Sequence, residues 1–257
     1  MKFYVVDSFT DKPYLGNPAG VILVDGFLTD PEMQSLAMEM NYSDTAFVFE
    51  RDGEYSIRWF TPKAEVKMCG HATLAAAKVL FAEKQMVEVN FASRVGNLRI
   101  SEKESMIVME FPAAPPTEKY RHSILSDLFP KATEFLFSPL TNYVLVLLNN
   151  REEVINFKPV DGELLKIQGL HGLIITAPDH EYDFVSRFFD PWEGISEDPV
   201  TGSAHCVLAP FWSSQLNKSD MTGKQLSQRG GIVYCEAKKE IVVLKGNAVI
   251  VMEGMVV

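Results

Sequence analysis

Met68-Cys69-Gly70-His71-Ala72-Thr73, running into the apolar stretch 74–81, is answered about 130 residues later by Glu197-Asp198-Pro199-Val200-Thr201-Gly202-Ser203-Ala204-His205 and the apolar stretch 206–212. Each cassette follows an aromatic strand and a Pro-containing loop, Arg58-Trp59-Phe60-Thr61-Pro62 in the first case and Arg187-Phe188-Phe189-Asp190-Pro191 in the second. In both, a Gly-plus-polar cluster stands just ahead of a helix rich in small apolar residues, so both offer unpaired backbone N–H groups at a helix start. Two such ends facing each other across a cleft would hold a small anion. The pattern is that of an enzyme site built from two halves of a duplicated fold.

Outward from the cassettes, period-two or continuous apolar segments dominate and predict strands at 3–6, 20–24, 45–49, 55–60, 87–91, 98–101, 106–111, 143–147, 172–177, 183–188, 231–235, 240–244 and 248–251. Few helices interrupt them. Asp30-Pro31-Glu32-Met33 is a start signal, and Met33, Leu36, Ala37 and Met40 supply the apolar face that follows. The stretches 74–81 and 206–216 are apolar nearly all round, which predicts helices wrapped inside sheet; 123–128 and 160–167 are weaker helix candidates. Pro112-Ala113-Ala114-Pro115-Pro116-Thr117 carries three prolines and reads as a linker. It divides the chain into domains 1–114 and 115–257. Periodicity leaves open whether the last strand returns to the first domain. The fold class is α+β, two similar domains, each a curved, mostly antiparallel sheet rolled about a buried helix.

Composition narrows the function. The chain has 257 residues, 47% of them apolar, so its cores can be large. Net charge is −10 and no Lys/Arg cluster stands out, which argues against nucleic acid and anionic membranes as partners and for a small-molecule ligand. No apolar run approaches the roughly 18 residues of a membrane span, and the N-terminus lacks signal-peptide features, so a cytoplasmic location is expected. Three cysteines and five histidines show no short metal-ligand spacing, and neither GxGxxG nor GxxxxGK[ST] occurs. No metal is expected.

Six runs, in order along the chain, carry a resemblance: Asp7-Ser8-Phe9-Thr10, Gly16-Asn17-Pro18-Ala19-Gly20, Asn41-Tyr42-Ser43-Asp44-Thr45-Ala46-Phe47, Arg58-Trp59-Phe60-Thr61-Pro62, Cys69-Gly70-His71-Ala72-Thr73 and the run from Glu197 to His205. Together they resemble the PhzF-like (phenazine biosynthesis) family of isomerases. The resemblance implies a diaminopimelate-epimerase-like fold of two pseudo-symmetric domains with the active site between them, no cofactor, and commonly a homodimer. It also implies an acid/base carboxylate at Asp44, where the family has Glu. Taking a proton from carbon next to a carbonyl or conjugated system needs a carboxylate close to that carbon. Asp44 is one methylene shorter, so backbone position or a different substrate must offset the difference.

His71, at the start of the first helix, and Asp198, ahead of the second, are the other catalytic candidates. The helix dipole disfavours protonated His71, leaving an imidazole that can donate to substrate or relay a proton; a structural cap is the plain alternative for each. Asn17, Gly70, Thr73, Gly202, Ser203 and Arg229 are candidates for substrate binding. Ser203 matches a family position that contacts substrate and could complete a donor nest with the N–H groups of Gly202 and Ala204. Arg229 could grip a carboxylate by its planar fork or lie at the surface. The expected substrate is a small carboxylated metabolite. Two rival readings are a two-thiol racemase, for which Cys69 would be the first thiol but nothing ahead of the second helix supplies the other, and a ligand-binding protein that keeps the fold without the reaction.

Overall fold

In the first third of the chain, strand alternation and one well-capped helix fix the start of the sheet. The computed structural model describes residues 1–256. β1 (Lys2–Ser8) pairs antiparallel with β2 (Asn17–Val24) from Lys2↔Leu23 to Ser8↔Asn17. Gly16 enters β2 at φ 69°, where a Cβ would stand 2.2 Å from the Ser8 carbonyl oxygen, so only glycine fits. α1 (Asp30–Met40) opens with a capping box between Thr29 and Glu32, carries Pro31 in its first turn, and stops at Asn41 in the left-handed region. The chain then returns as β3 (Thr45–Arg51), parallel to β2, and reverses through Asp52-Gly53, both at positive φ, into β4 (Glu54–Phe60). β5 (Glu65–Val66) closes on β4 and leads to α2 (Gly70–Lys84). β6 (Glu88–Ser93) runs parallel to β4, and β7 (Gly96–Lys103) and β8 (Met106–Pro112) continue antiparallel.

The same grammar recurs. After β9 (Glu118–Lys119) and α3 (Ser123–Leu128), β10 (Glu134–Ser138) pairs antiparallel with β11 (Tyr143–Leu147). α4 (Arg151–Asn156) and α5 (Asp161–Leu164) cross to β12 (Gly172–Pro178), parallel to β11, and β13 (Phe184–Asp190) returns antiparallel. β14 (Ile195–Asp198) leads into α6 (Gly202–Leu216), β15 (Asp220–Gln225) runs parallel to β13, and β16 (Gly231–Ala237) turns back on β15. From β10 to β16 the succession of antiparallel and parallel pairings repeats that from β1 to β7. After β17 (Ile241–Gly246), β18 (Ala248–Met255) lies antiparallel to β1. The chain thus forms two compact units, Met1–Glu110 joined by the residues from Lys245 onward, and Phe111–Leu244. Among the described residues no helix is long and apolar enough to cross a membrane.

Each unit is organised about one helix. α2 is buried at Leu74, Ala75, Ala76, Ala77, Val79, Leu80 and Phe81, and packs on β1, β2, β3 and β18; α6 is buried from Ala204 to Ala209 and packs on β15 and β16. One charged fork is conserved between the halves. Arg58 grips Glu65 through Nε and Nη2, both at 2.8 Å, and lies over the Phe60 ring; Arg187 grips Glu197 at 2.7 and 2.8 Å and lies over Phe189. Such bidentate pairs tie the strand before each cassette to the segment that delivers the helix start.

The forks differ in their reserves. Arg58 also donates to Asp30 at 2.8 Å, whereas the more buried Arg187 otherwise reaches only backbone carbonyls, those of Val154 and Phe157 among them. Glu197→Gln is therefore expected to lower stability by about 2–3 kcal/mol and Glu65→Gln by about 1 kcal/mol. Urea unfolding measures both, and the reverse order would refute this account of the forks.

Candidate active site

In the first unit the polar cluster lies where the loop after α1 meets the first turn of α2. Asn41 ends α1, and the next three residues bring Asp44 to the threshold of β3, where its carbonyl accepts from Gly20 N at 3.1 Å. His71 is the second residue of α2, and its own carbonyl accepts from Ser8 Oγ at 2.8 Å. Asp44 Oδ2 lies 3.8 Å from His71 Nε2, Ser43 Oγ lies 3.3 Å from that nitrogen, and Cys69 Sγ lies 3.4 Å from Nδ1. Burial pushes the imidazole down to about 4, so at neutral pH His71 is uncharged and its approach to Asp44 is a contact between a neutral ring and a carboxylate. Cys69 is the N-cap of α2 and makes no side-chain cap bond, so the first N–H groups of the helix are not taken up by its thiol.

In the second unit Asp198 ends β14 and accepts a short hydrogen bond from Thr201 Oγ1. Gln225, fully buried, fixes this turn from behind: Nε2 donates to Asp198 O at 2.7 Å and Oε1 accepts from Thr201 N at 3.0 Å. Ser203 Oγ, in the first turn of α6, lies 3.0 Å from Tyr143 OH. Burial pushes the Tyr143 phenol up to about 12 and the Asp190 carboxyl up to about 7; the charges of Glu193 and Asp198 add to the latter, while a hydrogen bond from Glu193 N opposes it.

The sequence candidates therefore divide between two clusters, one in each unit. Asp44, His71 and Gly70 share the first, with Asn17 buried at the start of β2. Thr73 is turned into the helix, where its hydroxyl donates to Cys69 O at 2.6 Å, and so it supports the turn. Asp198, Gly202 and Ser203 share the second. Arg229 lies half-buried in the loop before β16, beside Gly230, whose N–H donates to Ser227 Oγ. His205 stays inside α6, its Nδ1 donating to Thr201 O at 2.7 Å.

A family model described as phenazine biosynthesis-like protein, PhzC-PhzF, matches residues 6–254. The chain belongs to the phenazine biosynthesis-like family. It is 43% identical to an uncharacterized isomerase of Pseudomonas aeruginosa over 259 residues, 100% of this chain and 98% of the other. A putative phenazine biosynthesis PhzC/PhzF protein from Clostridium difficile superposes with a TM-score of 0.94 at 42% identity, covering 100% of this chain and 99% of that one. A hydroxyproline epimerase from Agrobacterium vitis, solved with bound trans-4-hydroxy-L-proline, reaches a TM-score of 0.66 over 99% of this chain and 91% of its own at 9% identity, and at that distance the likeness is one of fold. The epimerase-like fold expected from the sequence is the fold observed.

Three members of the second unit's cluster escaped sequence reading. Tyr143 read only as a strand residue, Asp190 as part of a Pro loop, and Gln225 carried no signal at all. Asp190 makes a pH prediction. Its folded pKa lies above its ordinary value of 3.8, so its contribution to stability is complete below about pH 4 and is lost as pH rises through about 7. Asp190→Asn keeps an oxygen to cap Glu193 N, now at 3.2 Å from Asp190 Oδ1. It should flatten the stability profile between those limits and, after discounting for solvent contact, add about 1–2 kcal/mol at pH 8. Thermal melts from pH 4 to 8 test this, and parallel profiles for the two proteins would contradict it.

Proposed function

We propose that the protein is a cofactor-independent isomerase that moves a proton on a small carboxylated metabolite, with Asp44 as the single acid/base group. The observation that supports it most directly is the placement of Asp44 beside a neutral His71 at the open first turn of a buried helix. A carboxylate there can take a proton from a carbon next to a carbonyl or unsaturated group. The C–H electron pair passes into the conjugated system, the N–H groups of the α2 start stabilise the developing negative charge, and the carboxylic acid of Asp44, whose proton exchanges with solvent, returns a proton to another atom. His71, uncharged, orients the substrate or relays the proton without neutralising the base.

The first-turn N–H groups of α6, with Ser203, suit a carboxylate, and Asp198 suits a hydroxyl or amine. A two-thiol mechanism lacks its second thiol: Thr201, not cysteine, is the N-cap of α6, and Cys206 lies inside that helix with burial pushing its thiol up to about 12.

Deuterium incorporation from heavy water into a panel of small carboxylated metabolites, followed by proton NMR, tests the reading. Asp44→Asn should lower exchange by roughly 100-fold or more while preserving the fold and ligand-induced stabilisation. Undiminished exchange in Asp44→Asn would remove Asp44 from the mechanism. Stabilisation by metabolites with no exchange in the wild-type protein would support a binding protein instead. Ser203→Ala should raise KM more than it lowers kcat, because it weakens a contact made before the proton moves.

A further inference from the structure

The cluster of the first unit gathers three different ligand chemistries around one imidazole ring. Cys69 Sγ stands 3.4 Å from His71 Nδ1, and one ligand atom from each of Asp44, Cys69 and His71 lies within 4.8 Å of the other two. The residues are buried without being sealed, with 8%, 8% and 6% of their surfaces exposed. A cation with bonds of about 2.3 Å to sulfur and about 2.0 Å to nitrogen, meeting near the tetrahedral angle, sets those two atoms about 3.5 Å apart. The observed separation matches that span before any movement. The backbone is fixed on both sides, by Gly20 N on the Asp44 carbonyl and Ser8 Oγ on the His71 carbonyl.

We infer that Asp44, Cys69 and His71 form a binding site for one thiophilic divalent cation of the Zn2+ class. Cys69 gives up its S–H proton to solvent and its sulfur binds the cation; His71 Nδ1 contributes its lone pair; the Asp44 side chain, which stands 3.8 Å from Nε2, rotates toward the Nδ1 side of the ring to supply one oxygen. The proton of the ring stays on Nε2 and is directed to Ser43 Oγ, which orients the imidazole as an outer partner does in metal sites. One thiolate and one carboxylate balance the charge of the cation, and a fourth position remains for water. Binding itself is independent of the isomerase reading. Only its consequence rests on that reading: a cation that holds the Asp44 oxygen removes the base, so Zn2+ switches turnover off.

Cobalt is the probe of choice. Titrating the full-length protein with Co2+ is expected to give a thiolate-to-cobalt charge-transfer band that saturates at one equivalent and is displaced by Zn2+. Cys69→Ser should abolish the band, and Asp44→Asn and His71→Ala should each weaken Co2+ binding at least about tenfold. The other thiols, Cys206 and Cys235, are buried within the second unit and serve as internal controls. If Cys69→Ser fails to fold, wild-type protein answers the question: Zn2+ should shield Cys69 from iodoacetamide, as mapped by mass spectrometry. No band in protein with intact thiols, a band that survives Cys69→Ser, or equal labelling of Cys69 with and without Zn2+ would overturn the inference. Deuterium exchange that fails in metal-free protein, while a separate Co2+ titration gives the band, would count against the isomerase reading and leave the cation site standing.

Discussion

A helix without a polar face has to be enclosed, and that requirement governs each half of this chain. α2 and α6 carry small and branched apolar residues nearly all round, so no orientation on a surface would satisfy them. Rolling a sheet about each helix buries those residues, but the helix ends still carry N–H groups without intrahelical partners. Polar residues must therefore gather at the start of each helix. The clusters around His71 and around Asp198 and Ser203 stand at those two starts.

The two halves keep the framework and differ in what they place upon it. The Arg–Glu fork with its aromatic floor is present in both, as is the succession of strand pairings. By register, Gly20 opposite Thr45 in the first half corresponds to Tyr143 opposite Gly172 in the second. A large phenol is thus accommodated where the first half has glycine; a Cβ at Gly172 would lie 2.8 Å from the Tyr143 ring and 2.5 Å from that of Phe188. The residue before the strand has changed too, from buried Asp44 to exposed His171. One half carries a carboxylate, a thiol and an imidazole, the other a phenol, a hydroxyl and two carboxyls.

What the sequence discloses follows from range. The cassettes, the capped α1 and the apolar strands are local patterns, and each is found close to its expected position. β15 was not legible, because its buried positions are Met221, Gly223 and Gln225, which do not read as an apolar alternation; Gly223 is there because a Cβ would meet the Phe184 ring at 2.5 Å. The α4 helix was missed as well, being short and mostly polar, although Asn150 caps it. Likewise, the grouping of Asp44 with Cys69 and His71 joins a loop to a helix start and has no spacing by which to recognise it. Gln225 is the extreme case, since its role is wholly tertiary.

The electrostatics of the first unit's cluster turn on His71 remaining neutral. Were it charged, it would form an ion pair with Asp44 at 3.8 Å and stabilise the carboxylate against accepting a proton, the opposite of what the proposed base requires. A pKa near 4 at neutral pH places the charged form about 4 kcal/mol above the neutral one. Burial of the ring supplies this difference, and the burial comes from the same enclosure of α2 that builds the unit. A substitution that loosens the packing around the first turn of α2 would thus raise the proton affinity of His71 without touching its side chain. In this half of the molecule the charge state of the imidazole is a property of the core.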